Sequence, residues 1–316
     1  MNALGPIRLG LVGVGAIARA QHLPVIAASS RFELVAAASR QNTADGAPTY
    51  ADLDEMLRKA PDIQAVSLCT PPAVRFADAW RALDAGRHVM LEKPPGSTVA
   101  EIRLLAEKAE RAGLSLFATW HSRHARGVEP ARAWLADKRI MTVDIQWRED
   151  VRRWHPGQDW IFQPGGLGVF DPGVNALSIV THILPEPFAL RRSRLHVPQN
   201  RQAPILAELS FQTSGGAPIE AVFDFLQTGP QTWTIRIETE DGLLELTDGG
   251  AALSVDGEAR LAADPEDALG GEYARLYERF AQLITARERD VDVTPLIHVA
   301  DAFMLGERIT AAPFHF

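Results

Sequence analysis

Cysteine is almost absent from this sequence. Cys69 is the single one, so no disulfide can form within the chain. Disulfides are characteristic of oxidising compartments, and a chain without them is more typical of the reducing cytoplasm. Cys69 closes the apolar run Ala65-Val66-Ser67-Leu68-Cys69, so we interpret it as a buried strand residue rather than a reactive thiol.

Long apolar runs and an N-terminal targeting segment are missing too. No stretch reaches the roughly 18 consecutive apolar residues that a membrane span needs, so we predict no membrane partner. The opening residues Met1-Asn2-Ala3-Leu4-Gly5-Pro6 lack a basic segment followed by an apolar core, and we predict no signal peptide. Both absences favour a cytoplasmic protein.

Positive charge is scarce. The chain carries 32 lysines and arginines against 40 acidic residues, a formal net charge of -8. Phosphate backbones require a basic surface, so the sequence argues against a nucleic-acid partner. Histidine, cysteine and carboxylate residues do not occur at zinc-ligand spacings, and no acidic loop suits calcium, so we predict no metal site. A small-molecule partner is compatible with all of these absences.

The 316 residues favour two domains. In the first part of the chain, apolar strand-like segments alternate with helical segments, which is typical of a parallel sheet covered on both faces. We therefore predict a doubly wound α/β Rossmann domain over residues 1–122. Its predicted strands are 7–12, 33–38, 65–69, 88–91 and 114–119, and its predicted helices begin at Ala16 and cover 53–60, 73–86 and 98–112.

After about residue 125 the pattern changes to alternating apolar and polar residues separated by Gly-containing turns. This pattern indicates an α+β domain with an open, mostly antiparallel sheet over residues 123–316. The predicted helices are 128–138, Val174–Thr181 and 272–287, and the predicted strands are 143–147, Leu206–Phe211, Ala221–Phe225, Thr234–Thr239 and Leu243–Thr247.

A glycine-rich turn, Gly13-Val14-Gly15-Ala16-Ile17-Ala18, joins the first predicted strand to the first helix. Glycines at this place allow the backbone to approach a pyrophosphate, which sits on the helix N-terminus. The turn therefore predicts a dinucleotide site in which Gly13, Gly15, Ala16 and Ile17 contact the cofactor.

The second predicted strand ends at Ser39-Arg40 rather than at the acidic residue that usually holds the ribose 2′-hydroxyl of NAD. Serine can donate a hydrogen bond and arginine can pair with a 2′-phosphate. We predict that NADP binds and that NAD is also accepted. The alternative is that Arg40 is a solvated loop residue.

Taken with that glycine-rich turn, Thr70-Pro71-Pro72 and Glu92-Lys93-Pro94 make the chain resemble the Gfo/Idh/MocA family of oxidoreductases over its whole length. The runs 119–123, 149–158 and 165–175 resemble the branch of that family that oxidises L-arabinose and D-galactose at C1. The resemblance implies an NAD(P)-dependent aldose 1-dehydrogenase that forms an aldonolactone. Thr70, Pro71, Pro72, Glu92 and Lys93 would line its cofactor site.

The same resemblance implies a homo-oligomer, with one face of the C-terminal sheet forming a dimer interface. Two other functions stay open. The chain could be a different dehydrogenase of the family, acting on another sugar or an inositol, or a non-catalytic regulator that binds a nucleotide, because fold alone does not define activity.

Lys93, Asp171 and Asn175 are the predicted catalytic residues. The family usually has a histidine four residues after the aspartate, and here that position is Asn175, which cannot accept a proton. We favour Asp171 as the base, with Lys93 stabilising negative charge on oxygen. Lys93 in its neutral form and His155 are alternative bases, and Asp171 could instead merely cap the following helix.

The resemblance also suggests which side chains bind the sugar, because aromatic faces stack on sugar C–H groups and imidazoles and carboxylates bind hydroxyls. Without the shared runs, single tryptophans and histidines are more often core residues. His22 is predicted to belong to the first helix and not to the chemistry. The predicted substrate-binding residues are Lys93, His121, Glu149, Trp154, His155, Asp171, Asn175 and Trp233.

Overall fold

The computed structural model describes residues 5–264 and 268–316, which form two compact units. The first unit contains residues 5–121 together with Leu269–Val293, and the second contains residues 122–264 together with Thr294–Phe316. The predicted division into 1–122 and 123–316 differs, because it does not include the return of residues 269–293 to the first unit. None of the helices in the described residues is long and apolar enough to cross a membrane.

A six-stranded parallel sheet forms the centre of the first unit, with strand order β3-β2-β1-β4-β5-β6. This is the doubly wound order of a Rossmann domain, and it confirms the predicted fold class. The strands are β1 Ile7–Val12, β2 Phe32–Ala38, β3 Thr49–Tyr50, β4 Ala65–Leu68, β5 His88–Leu91 and β6 Leu116–Ala118.

Helices cover this sheet. A π-helical turn, Ala18–His22, runs directly into α1 Leu23–Ala28. Thr98 and Glu101 form a reciprocal capping box at the start of α4, and Gly113 ends that helix in the left-handed conformation, so local sequence fixes both ends. The other helices of the unit are α2 Leu53–Lys59, α3 Pro72–Asp84, α4 Val99–Ala112 and α8 Ala268–Ala286.

Helix α8 completes the core of the first unit although it follows the second unit in sequence. Leu276, Tyr277, Phe280 and Leu283 lie in one buried cluster with side chains from the parallel sheet. Phe280 stacks on Phe32, with ring centroids 5.8 Å apart. The first unit therefore buries its apolar surface only when this distant helix is present.

A nine-stranded sheet forms the second unit, with strand order β14-β13-β12-β11-β7-β10-β9-β8-β15. Only the β10–β7 and β15–β8 pairs are parallel, so the predicted mostly antiparallel sheet is confirmed. The strands are β7 Ile140–Arg148, β8 Phe188–Pro198, β9 Leu206–Thr213, β10 Pro218–Asp224, β11 Thr232–Thr239, β12 Gly242–Thr247, β13 Ala252–Val255, β14 Glu258–Leu261 and β15 Gly306–Ala311.

The second unit has four α-helices in its described residues: α5 Val128–Leu135, α6 Val151–Trp154, α7 Phe170–Ile183 and α9 Thr294–Met304. Helix α7 is buried over most of its length. A Cβ at Gly173 would lie 2.5 Å from the ring of Phe223 on β10, so only glycine allows this close approach. The approach holds the N-terminal end of α7 against the sheet.

Helix α7 begins at Phe170, four residues before the predicted start at Val174. Pro172 lies in its first turn, where the missing N–H costs nothing. Asp171 is therefore inside the first turn and does not precede the helix. The residue at the N-cap position is Val169, with no side-chain cap, so the capping alternative for Asp171 is wrong.

Candidate functional site

The glycine-rich turn of the first unit lies where β1, β2 and β4 end. Gly13 has φ of +90° and donates its N–H to the Ala38 carbonyl at 2.9 Å, and a Cβ there would meet the Thr70 backbone nitrogen at 2.9 Å. A Cβ on Gly15 would instead meet nothing within 4 Å. The backbone at Gly15 is therefore accessible to a ligand, and it lies directly before the helix that starts at Ala16. An accessible backbone at a helix N-terminus is suited to binding a pyrophosphate.

Asn42 connects this turn to the end of β2, a role that nothing in the sequence pattern predicts. Its side chain donates to the Val14 carbonyl at 2.9 Å, and its backbone N–H donates to Ser39 Oγ at 3.3 Å. Arg19 donates to the Asn42 carboxamide oxygen at 3.3 Å, and Arg40 is exposed. Arg19 and Arg40 thus both belong to the segments that meet near the end of β2.

Arg75 of α3 links the two Pro-containing segments that carry the family resemblance. Its guanidinium, buried within the unit, donates to the carbonyls of Thr70, Glu92 and Pro94. The Lys93–Pro94 peptide bond is cis. Thr70 Oγ1 is buried and has no hydrogen-bond partner within residues 5–264 and 268–316. An unsatisfied hydroxyl beside the glycine-rich turn fits a polar ligand at this edge.

Glu92 directs its carboxylate into the interior of the first unit. Tyr273 donates a short hydrogen bond to Glu92 Oε1, and His22 Nε2 lies 3.4 Å from the same oxygen. Burial alone raises the pKa of this carboxyl, but the hydrogen bond and charge of His22, the charge of His121 and the hydrogen bond from Tyr273 outweigh burial and lower the pKa to about 2. Glu92 is therefore an anion at neutral pH.

His121 also belongs to the first unit, at the end of the segment that follows β6. Its Nδ1 lies 2.7 Å from Glu272 Oε2, and its ring stacks on Tyr273 with centroids 5.4 Å apart. A carboxylate on Nδ1 orients the imidazole and sets its tautomer. Glu272 and Tyr273 come from α8, and their position beside His121 has no local signal in the sequence.

The second unit brings three of the predicted residues together. His155 Nε2 lies 3.5 Å from Glu149 Oε1 and 3.7 Å from Asp171 Oδ2, so one imidazole faces two carboxylates. Glu149 is 2% exposed and Asp171 is 4% exposed. Trp233 donates its indole N–H to Glu149 Oε2 at 2.9 Å, which fixes that carboxylate.

An aromatic surface adjoins these carboxylates. The ring centroids of Trp154 and Trp233 are 5.0 Å apart, and Trp233 stacks on Trp147 at 5.8 Å. Trp154 keeps 38% of its surface exposed, so it presents an open face. Such a surface beside acceptor groups is suited to a ring with one apolar face and several hydroxyls.

Asn175 follows Asp171 by one helical turn, so the two side chains lie on one face of α7. The Asn175 side-chain oxygen is buried and lacks a hydrogen-bond partner among the described residues. Buried polar atoms normally have partners, and an unpaired acceptor here is suited to a ligand hydroxyl. No group of three potential ligand side chains in the described parts of the chain could hold a metal ion.

Known proteins share this architecture and sequence. The model of the oxidoreductase family with an NAD-binding Rossmann fold, GFO_IDH_MocA, matches residues 7–119. Galactose 1-dehydrogenase from Pseudomonas fluorescens is 44% identical over 310 residues, which cover 98% of this chain and 99% of that protein. The chain belongs to the Gfo/Idh/MocA family. Its first unit is the NAD(P)-binding Rossmann domain of that family, as the resemblance implied.

Two solved structures extend the comparison. The D-galactose-1-dehydrogenase protein from Rhizobium etli is 52% identical, with a TM-score of 0.93 and complete coverage of both chains. KijD10, a 3-ketoreductase from Actinomadura kijaniata crystallised with NADP and TDP-benzene, has a TM-score of 0.82 over 97% of this chain and 99% of its own. At 20% identity, the second structure supports the fold alone.

Proposed function

We propose that this Gfo/Idh/MocA protein is an NAD(P)-dependent galactose 1-dehydrogenase. It would oxidise cyclic D-galactose at C1 to the aldonolactone, producing reduced cofactor and one proton. The proposal rests on the full-length identity of 44% and 52% with two proteins that carry that name. Oxidation of L-arabinose is a further part of the proposal.

A bound nicotinamide supplies the acceptor for the hydrogen and electron pair that leave C1. The chain must remove the proton of the C1 hydroxyl, and we assign this step to Asp171. Its side chain is 5% exposed, but His155 lies 3.7 Å away with 18% of its side chain exposed, so the proton has a group that can carry it onward. The role that the family resemblance implies for the Lys93 ammonium is to stabilise negative charge on oxygen.

Sugar binding is assigned to the remaining residues of the predicted set. Trp154 and Trp233 would stack on the C–H face of the sugar ring. Glu149 and His155 would accept hydrogen bonds from its hydroxyl groups. Asn175 would orient a hydroxyl through its unpaired side-chain oxygen. His121, held by Glu272, would bind a hydroxyl in the first unit.

The experiment that tests this function is a steady-state screen of aldoses with NADP and with NAD. D-Galactose, L-arabinose and D-fucose share an axial 4-hydroxyl and should all reduce the cofactor. D-Glucose, with that hydroxyl equatorial, should have a kcat/KM about 5- to 150-fold lower, because a buried polar partner is left unpaired. Equal kcat/KM for glucose and galactose would overturn the assignment.

Two other results of the screen would redirect the proposal. Turnover of an inositol or an unrelated aldose alone would indicate a different dehydrogenase of the family. Cofactor binding without turnover of any sugar would indicate a nucleotide-binding regulator.

We propose that NADP is the preferred cofactor, because Ser39 and the exposed Arg40 follow β2 where an acidic residue would otherwise select NAD. Arg40→Ala should weaken NADP binding by about 1.5–3 kcal/mol, the usual contribution of a charge-assisted hydrogen bond. NAD binding, measured by titration calorimetry, should change little. Equal losses for both cofactors would mean that Arg40 does not contact the phosphate.

We also propose a homodimer formed through the nine-stranded sheet, as the family resemblance implies. The face that α7 and α9 leave uncovered carries exposed and half-exposed side chains such as Arg236 and Glu238 of β11 and Glu220 of β10. Sedimentation at several protein concentrations tests this proposal. A species that stays monomeric at micromolar concentration would refute it.

A further inference from the structure

Five polar side chains lie together in the interior of the first unit, below the end of β5. None of them is more than 4% exposed, and only Glu92 is among the predicted site residues. Burying hydroxyl, imidazole and carboxylate groups costs free energy unless every one of them is paired. We call this group the Glu92 cluster: His22, Ser67, Glu92, Tyr273 and Tyr277.

The hydrogen bonds of the Glu92 cluster form one connected chain. His22 Nδ1 lies 2.8 Å from the Tyr277 hydroxyl, and that hydroxyl donates to Ser67 Oγ at 3.3 Å. On the other side of its ring, His22 Nε2 lies 3.4 Å from Glu92, which also accepts from Tyr273. The His22 ring meets both tyrosine rings edge-on, at 4.9 and 5.7 Å between centroids. Packing therefore fixes the same side chains that the hydrogen bonds orient.

The Glu92 cluster places the His22 imidazole against a buried carboxylate, with His22 Nε2 3.4 Å from Glu92 Oε1. Burial lowers the pKa of the His22 imidazole, but Cys69, Tyr277 and Glu92 outweigh it and raise that pKa well above its usual range. With Glu92 ionised, its oxygens can only accept, so His22 Nε2 donates to Glu92. A buried ion pair contributes little net stability relative to apolar packing. Fixing the position of Glu92 is therefore a better explanation of the cluster than stability.

Lys93 is the residue next to Glu92, and the backbone there is held as firmly as the side chain. The Glu92 N–H donates to the Leu68 carbonyl at 3.1 Å, and Arg75 donates to the carbonyls of Glu92 and Pro94 on both sides of Lys93. Glu92 is thus fixed through its N–H, its carbonyl and its carboxylate. The cluster supplies the third of these restraints.

We propose that His22, Tyr273 and Tyr277 are positioning residues for the reaction. His22 and Tyr273 hydrogen-bond to Glu92, Tyr277 holds His22, and together they fix the segment that carries Lys93. This inference rests on the proposed function, in which Lys93 acts on the sugar. A reacting group displaced by about 1 Å can lose about 10²-fold in rate, so a hydrogen bond one residue away from Lys93 is sufficient to matter.

Tyr273→Phe and Tyr277→Phe test the proposal, since each removes one hydroxyl and keeps the ring. Ser115→Ala is the matched control. Its hydroxyl is fully buried in the same unit and donates to the Leu283 carbonyl of α8 at 2.9 Å, but it does not touch the Glu92 cluster. Each of the three variants removes a buried hydroxyl that hydrogen-bonds to or from α8, so all three should unfold at a somewhat lower temperature.

Only the tyrosine variants should lose activity. We expect kcat to fall about 10-fold or more in each, with the sugar KM and the cofactor Kd within about 2-fold of the wild type. The kinetic isotope effect with sugar deuterated at C1 should rise towards its limiting value, because the slowed step breaks the C1–H bond. The double variant should lose little more than the worse single variant, since both hydroxyls act through Glu92.

Several results would overturn the proposal. One is a wild-type kcat in both tyrosine variants. Another is an equal loss of kcat in Ser115→Ala, which would show that any loosening of α8 has the same effect. If Tyr273→Phe does not fold, Tyr277→Phe and Ser67→Ala provide the same comparison.

Failure of the proposed function gives a different signature. If the wild type does not oxidise galactose but turns over another sugar or polyol from the screen, the substrate assignment fails. The ratio of variant to wild-type kcat on that other substrate then tests the Glu92 cluster in the same way.

Discussion

Asp171 is the side chain on which the proposed proton transfer in the second unit depends. Its place in the first turn of α7 suits a carboxylate, since the helix N-terminus is the positive end of the dipole. In a buried position such as this one, neutralising it should change stability by up to about 2 kcal/mol. Activity and stability can therefore be separated at this residue.

Asp171→Asn should lower kcat by about 10²–10⁴, the usual cost of losing a general base, because the nearly isosteric amide still binds but cannot take a proton. Steady-state kinetics at saturating galactose and cofactor measures this loss. Asn175→Ala removes an orienting group one helical turn further along α7. Its loss of kcat should be smaller, and part of its effect should be a higher KM for the sugar.

A near-wild-type kcat in Asp171→Asn, with an unchanged acid limb of the pH profile, would contradict the assignment of the base. His155, which faces both carboxylates of the second unit, and Lys93 would then be the next residues to substitute.

The free energy of unfolding at acid pH should depend on whether Glu92 is ionised. Its folded-state pKa of about 2 is below the ordinary value of 4.5, so its contribution to stability is complete above pH 4.5 and is lost as pH falls towards 2. Urea unfolding of the wild type should show falling stability over this window. Glu92→Gln should be less stable at pH 7 and show a flatter dependence below pH 4.5. Parallel pH curves for the two proteins would contradict the low pKa.

At this scale the sequence predicts the residues that sit in recognisable runs and misses those that come from elsewhere. Lys93 and Asp171 are predicted from motifs. Asn42, Arg75 and Tyr273 are not, because each acts through contacts with segments far away in sequence, such as the hydrogen bond from Tyr273 to Glu92 across 181 positions. A single sequence carries no local pattern for such contacts.

Among the elements, α7 determines where Asp171 and Asn175 lie, and Gly173 determines how closely α7 approaches β10. Gly173→Ala should destabilise the protein by a net amount of about 1–2 kcal/mol, because overpacking against the fully buried Phe223 ring outweighs the better helix propensity of alanine. It should also lower kcat by displacing Asp171. Chemical denaturation and steady-state assays measure the two effects.

The matched control for Gly173→Ala is Gly270→Ala in α8. A Cβ at Gly270 would meet only the side chain of Gln21, at 4.0 Å, so alanine should be neutral or stabilise the helix slightly. If the two substitutions change the free energy of unfolding alike, the close contact with Phe223 does not limit the position of α7.

The regular elements show where sequence patterns suffice. Strands β1 and β5 have the predicted bounds, because short, mostly apolar runs of the right length lie between turn residues. Strand β8 was not predicted, since a register irregularity between Leu190 and Arg192 breaks its alternation. Strand β15, at the sheet edge, buries too little of its surface to show a pattern. Helix α9 was also not predicted.

At the scale of the whole molecule, the return of residues 269–293 to the first unit makes that unit discontinuous in sequence. Burial of Leu276, Phe280 and Leu283 contributes about 5–9 kcal/mol at about 1.5–3 kcal/mol each, which is comparable to the whole stability of a domain, about 5–15 kcal/mol. The predicted domain division could not include this exchange, because an amphipathic helix does not reveal which sheet it covers.

A fragment of residues 1–121 should therefore not fold cooperatively. It should bind a hydrophobic dye and show no sharp unfolding transition. The same fragment joined by a flexible linker to residues 269–293 should unfold cooperatively and bind NADP, as measured by calorimetry. Cooperative unfolding and NADP binding by residues 1–121 alone would show that α8 is dispensable for this unit.

The discontinuous first unit also has a consequence for synthesis on the ribosome. After residue 121 has been made, 172 further residues must be added before residue 293 is available. At about 5–20 residues per second this takes about 9–34 s. Throughout that interval the nascent parallel sheet presents the apolar surface that α8 will cover. Translation speed and chaperone supply should therefore govern the yield of this protein more strongly than its final stability does.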